Sequence, residues 1–319
     1  MSSILLVLCG LVLFLYALNV LSDGLKDLAG DQLKKFIDRF TSNLFRGIVA
    51  GAIVTVLLDS SSVVIIMTIA LVNSGAMTFR QAIGIVLGAN IGTSFSSQIF
   101  ALDIGEYAAL PIVAGFALMF FSKNEFKVNL GKVVFSFGLI FFGLFTMEEA
   151  VEPLKQSNYF IVWLQSLENT WKGAGVGALV TVVIQSSSAT VGMIIGLASQ
   201  NMITLTAAIA VTLGAELGTC ADTLVASIGR SKGAIRTGLF HFIFNLITIL
   251  LGMLLLPYFT SFVKYVSAGQ NLQRTIANAH MLFNILGVIV IIPVIPVLEK
   301  MVNKLTSFKH VATHASASE

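Results

Sequence analysis

Two runs of three serines, Ser60–Ser62 and Ser186–Ser188, lie 126 residues apart, each inside a long apolar stretch. A serine hydroxyl donates one hydrogen bond and accepts others. Each run separates two apolar halves, 44–58 and 63–74 in the first case, and so reads as a helix break. The half-helix that follows, starting near Ser62 or Ser188, presents free N–H groups and the positive end of its dipole, which suit an anion. The half-helix that precedes it ends at Leu58 or Ile184, and its free carbonyls suit a cation. Gln185 adds an amide to the second run. The equivalent position of the first run holds Asp59, whose carboxylate would bind a cation or hold a proton. Plain helix capping accounts for a single serine tip; two tips in register favour a paired anion site.

A second pair of motifs lies further along each half: Gly88-Ala-Asn90-Ile-Gly92-Thr93 and Gly214-Ala-Glu216-Leu-Gly218-Thr219. Glycines permit unwinding and close backbone approach. Freed carbonyls, threonine hydroxyls and one side-chain oxygen make a hard-cation shell. Glycine packing alone leaves Glu216 unexplained, because an intramembrane carboxylate is expensive and usually functional. Asp222 reads equally well as functional or as solvated near a helix end. A shorter pattern recurs near the C-terminus, His241-Phe-Ile-Phe-Asn245 and His280-Met-Leu-Phe-Asn284. It places His and Asn on one helix face, for interhelical bonding or for substrate contact. No Cys or His cluster has zinc-ligand spacing.

These motifs belong to an internal duplication. Residues 47–102 align with 173–228 without a gap, and 20 of 56 positions are identical. The matched polar triplets in register separate this from shared apolar composition.

The elements that must carry the motifs are membrane helices. Of 319 residues, 56% are hydrophobic and 11% charged, with a mean hydropathy of +0.91 and a net charge of +3. Soluble domains are about 25% charged. The composition excludes a soluble enzyme, a disordered chain, a nucleic-acid binder and a disulfide scaffold, and the unbroken apolar runs exclude a β-barrel. The N-terminal run reads as a retained first helix rather than a signal peptide, Cys9 and Cys220 as reduced buried thiols, and the tail from Lys309 to Glu319 as disordered.

The fold class expected is an all-α polytopic membrane protein of two inverted-topology repeats, each with a re-entrant hairpin and a broken transmembrane helix, plus one extra C-terminal helix. The first repeat covers 1–128, with a span at 4–21, a charged interfacial stretch at 22–46, a hairpin at 44–74, a broken helix at 78–102 and a span at 107–122. The second covers 129–257, with a span at 130–147, a half-charged stretch at 148–172, a hairpin at 173–199, a broken helix at 203–229 and a span at 234–257. The extra helix, 276–298, lies in 258–300, and 301–319 form the tail. The hairpin halves of 15 and 12 residues reach ~22 and ~18 Å at 1.5 Å per residue. Neither spans a hydrocarbon core of ~30 Å, which favours a hairpin with its tip near mid-membrane, enclosed by protein or a watery cavity.

Three crossings per repeat invert the second relative to the first. Fifteen of the 19 Lys and Arg residues then fall on one side, leaving Lys155, Lys172, Lys264 and Arg274 on the other. The positive-inside rule sets the N-terminus outside and the C-terminus in the cytoplasm of a multi-pass cell (inner) membrane protein.

Gln185-Ser-Ser-Ser188-Ala-Thr190 followed by Gly214-Ala-Glu216-Leu-Gly218-Thr219 resembles the signature of the type II sodium–phosphate cotransporters, over roughly residues 10–298. About 20 residues follow the last span, so the resemblance is to a bacterial-type member without a C-terminal regulatory domain. It implies sodium-coupled movement of inorganic phosphate by alternating access, with Na+ as coupling ion, no organic cofactor and no catalysis. Partners implied are phosphate, sodium ions and the lipid bilayer, but no nucleic acid; a homo-oligomer is left open. Phosphate would lie between the tips, on Ser60, Ser61, Ser62, Gln185, Ser186, Ser187 and Ser188. Sodium would use Asp59, Asn90, Thr93, Glu216 and Thr219. Asp59 departs from the family's tip, which begins with Gln, and opens three alternatives: a proton-coupled transporter, a transporter of another anion, or a non-transporting phosphate-binding membrane regulator.

Overall fold

A computed structural model describes residues 3–29, 43–102 and 104–307. The centre of the interfacial stretch (30–42), Asp103 and the tail expected to be disordered lie outside the described residues. All regular structure among the described residues is helical, and six helices are long and apolar enough to cross a membrane. The protein is an all-α polytopic membrane protein.

Helix α1 (Ser3–Ala29) packs along α6 (Glu125–Val151). The first hairpin is α2 (Leu44–Leu58) and α3 (Ser61–Asn73), followed by α4 (Phe79–Phe100) and α5 (Ala109–Phe121). After α6 and the short α7 (Asn158–Gln165), the second hairpin is α8 (Thr170–Ile184) and α9 (Ser187–Ser199). Then follow α10 (Leu205–Gly218), α11 (Cys220–Ser227), α12 (Lys232–Leu254), α13 (Leu256–Val266), α14 (Leu272–Ile291) and α15 (Ile295–Leu305).

The breaks and starts follow from local chemistry. Asp59 and Gln185 both adopt left-handed backbone (φ 49° and 59°), ending the first half of each hairpin. Ser60 and Ser186 then cap the second halves, accepting from the N–H of Val63 (3.2 Å) and Ala189 (3.1 Å). Thr78 and Gln81 form a capping box that starts α4.

Each hairpin lies against its own long helix through one set of contacts made twice. A Cβ on Gly88 would stand 1.9 Å from the Ile48 carbonyl oxygen, and one on Gly214 would stand 1.9 Å from that of Ala174. A Cβ on Gly92 or Gly218 would lie 2.6 Å from Cβ of Thr55 or Thr181. Only glycine allows this approach.

Two hydrophobic cores result, and both mix the chain halves. The first hairpin is packed with α4, α12 and the α14–α15 corner; the second with α10, α1, α6 and α14.

Several expectations are corrected. α4 runs unbroken through Gly88–Thr93, because its glycines face the hairpin and Asn90 and Thr93 bond carbonyls of their own helix. The second broken helix is interrupted only at Thr219, where α10 hands over to α11. The expected span 107–122 is the 13-residue α5 after a single 3-10 turn, short for a crossing. The extra helix 276–298 is two helices, α14 and α15, parted at Pro293, whose ring cannot continue the ladder. The amphipathic α13 precedes it unannounced. Cys9 is exposed rather than buried, since the next residue, Gly10, faces α6 instead; Cys220 is buried.

Candidate functional site

At the first tip, Asp59 Oδ1 accepts a hydrogen bond from Ser96 Oγ on α4. Three residues on, Ser62 Oγ donates to Asp222 Oδ2 on α11 at 3.3 Å. Ser61 and Ser62 are buried. Carboxylates from both chain halves therefore adjoin Ser60–Ser62.

The second tip has no carboxylate bonded to it among the described residues. The Gln185 N–H donates to the Thr181 carbonyl at 2.7 Å, closing α8. Ser187 and Ser188 are buried at the start of α9, and among the described residues no protein group takes their hydroxyls. Two buried hydroxyls, free backbone N–H groups and a positive dipole end make this tip suited to an anion. Beneath it, Thr181 Oγ1 meets Thr190 Oγ1 at 2.8 Å, tying the halves of the hairpin together.

A buried chain of side chains joins the two duplicated helices. His280 on α14 reaches Glu216 Oε1 with Nε2 at 2.7 Å and Ser97 Oγ with Nδ1 at 2.6 Å. Glu216 is 2% and His280 1% exposed, so each finds its hydrogen-bond partner within the protein. His241 on α12 instead bonds Thr223 Oγ1 through Nδ1 at 2.8 Å and faces Asn245 Nδ2 through Nε2 at 2.9 Å. Cys220 Sγ accepts from Asn245 at 3.2 Å.

The five residues expected at sodium are not gathered by shared side-chain bonds. Asn90 donates to the Val86 carbonyl, Thr93 to that of Ala89, and Thr219 to that of Glu216. Asp59 and Glu216 have separate partners, Ser96 and His280. Three bonded residues carry no notice in the local sequence: Ser96, Ser97 and Thr223. The duplication could have found them, since 96 and 97 stand 126 before Asp222 and Thr223.

The sequence profile of the Na+/Pi-cotransporter family matches residues 13–149 and again residues 146–291. The chain belongs to this family. Bacillus subtilis (strain 168) has a relative, "Uncharacterized protein YqeW", 26% identical over 301 residues, 94% of this chain and 97% of its own length. The Escherichia coli (strain K12) "Putative inorganic phosphate export protein YjbB" is 24% identical over 296 residues, 92% of this chain. The match spans 54% of YjbB, so the chain covers about half of that relative. Human "Sodium-dependent phosphate transport protein 2B" is 38% identical over 106 residues, 32% of this chain and 15% of that protein. No solved structure matches the chain significantly. The double match of the family profile falls once on each half, as the duplication does. Within this phosphate-transporter family the two serine tips and the His280–Glu216 link are the candidate working parts.

Proposed function

We propose that the protein carries inorganic phosphate across the cell membrane, coupled to sodium, by alternating access, and that it is a transporter and not an enzyme. The observation that carries this is the second tip, where Gln185 and the buried Ser187 and Ser188 surround a helix N-terminus with no carboxylate bonded to it among the described residues. Phosphate binds there through Gln185 and Ser186–Ser188, and Ser60–Ser62 complete the site from the other hairpin near mid-membrane. Sodium takes the first tip, where Asp59 supplies the carboxylate, with Asn90 and Thr93 on the facing helix. Glu216 and Thr219 are their counterparts in the second repeat. Sodium binding pre-orders the tips and so raises phosphate affinity. Rocking of one inverted repeat against the other then moves the site across. The charge distribution supports a cytoplasmic C-terminus.

YjbB is named for export. A symporter follows whichever gradient dominates, so the test imposes one. Purified protein in proteoliposomes is given radiolabelled phosphate with an inward sodium gradient. Uptake that requires sodium and disappears when Ser186–Ser188 are replaced by alanine is the expected result. Uptake driven by a pH gradient alone moves the coupling to protons; no flux under either gradient overturns the phosphate reading.

A further inference from the structure

Helices α12 and α14 carry the same pattern, with Asn four residues after His and on the same face. Both histidines use Nδ1 alike, on hydroxyls at equivalent places in the duplication: Thr223 at 2.8 Å and Ser97 at 2.6 Å. Their Nε2 edges differ. His241 Nε2 takes the amide of its own Asn245 at 2.9 Å. His280 Nε2 instead reaches Glu216 on α10, in the repeat that does not hold Ser97, at 2.7 Å. Asn284, 2% exposed, is then left with its Nδ2 unpartnered.

The duplication makes this difference informative. Glu216 stands where the first half has Asn90. If both copies behaved alike, His241 would bond Asn90 as His280 bonds Glu216. Asn90 is turned to the Val86 carbonyl, and His241 is turned to Asn245. One copy is engaged across the halves and the other is closed on its own helix.

We propose that His280 passes its Nε2 edge between Glu216 and Asn284 during transport, the two copies displaying the two ends of this exchange, with Asn284 as a positioning residue. The proposal rests on the phosphate-transport reading. When the halves rock, His280 cannot keep both Ser97 on α4 and Glu216 on α10. Retaining Ser97 leaves its Nε2 edge without a partner in a place water does not reach, which is costly. Asn284 offers Nδ2 or, after its amide turns, Oδ1, so it suits the ring in either protonation state. The orphan donor of one state becomes the partner of the next. Glu216, released, has its carboxylate free for a cation.

The test reads the ring directly. The chain has four histidines, so 15N-histidine labelling of the full protein in micelles gives few signals, assigned with His241→Gln and His280→Gln. In Glu216→Ala, or Glu216→Gln should the alanine variant not fold, the His280 Nε2 resonance is expected to move towards that of His241. Adding Asn284→Ala should move it again. No response to Asn284 in that background overturns the proposal. In phosphate flux, Asn284→Ala should lower kcat by about 5- to 10-fold, as for a lost hydrogen bond, with KM nearly unchanged. Asn284→Gln should recover part of the loss. An unchanged kcat in Asn284→Ala also overturns the proposal. Absence of flux in the unaltered protein would instead sink the transport reading, and the resonances would still decide the exchange.

Discussion

Ser96 and Asp222 occupy equivalent places in the two halves of the chain, 126 residues apart, yet both bond the first serine tip: Ser96 through Asp59 and Asp222 through Ser62. Two carboxylates thus adjoin one tip, while among the described residues none bonds the other. Opposite charges close together attract and like charges repel, more strongly where water is scarce. The tips should divide the work, the first favouring the cation and the second the anion. Ser188→Ala is expected to raise the phosphate KM by about tenfold, the size of one charge-assisted hydrogen bond. Ser62→Ala should shift the sodium half-saturation as well as the phosphate KM, because Ser62 completes the phosphate site and also bonds Asp222 beside the sodium tip. Initial uptake rates over crossed sodium and phosphate concentrations separate the two, and equal effects of both variants on phosphate alone would refute the division.

Asp59 stands where the second tip has Gln185, so its charge is the main difference between the tips. Asp59→Asn keeps an acceptor for Ser96 and removes the charge. Sodium half-saturation should rise by about 10- to 100-fold, matching the loss of a charged ligand worth ~1.5–3 kcal/mol. Unaltered sodium dependence in flux measurements would remove Asp59 from the cation site.

The hairpin contacts predict opposite outcomes for two glycine substitutions. Gly88→Ala would drive a methyl into the Ile48 carbonyl, from which its ideal position is 1.9 Å. The hairpin must move off α4, with a loss of about 3 kcal/mol or failure to fold. Gly175, inside α8, has nothing within 4 Å of a Cβ. Gly175→Ala should be neutral or stabilising by up to about 1 kcal/mol through helix propensity. Thermal unfolding of both variants in detergent checks the pair.

Thr55 and Thr181 are equivalent and sit alike against Gly92 and Gly218, but only Thr181 finds a partner, Thr190. The position equivalent to Thr190 is Val64, and the buried Thr55 hydroxyl is left unpaired. Val64→Thr should supply the missing partner and stabilise the first hairpin by about 0.5–1 kcal/mol. Thr181→Val should cost about as much in the second. A rise in unfolding temperature for the former with a fall for the latter is the expected pattern.

Much of this was written in the residues themselves. Membrane class followed from a charged fraction of 11%, because so few charges cannot cover a soluble surface. Both helix breaks were legible because Asp59-Ser-Ser-Ser62 and Gln185-Ser-Ser-Ser188 interrupt apolar runs with residues that end one helix and cap the next. The register of 126 carried one half's features onto the other. What sequence periodicity could not decide was how helices face each other. Gly88 and Gly92 are compatible with unwinding or with close packing, and only the Ile48 and Thr55 contacts of the neighbouring hairpin select packing. Glu216 read as the side-chain oxygen of a cation shell, but His280, 64 residues away in the chain, lies against it. Local spacing describes neighbours along a helix, whereas the partner of a buried charge is set by which helices pack together, and that is decided only in three dimensions.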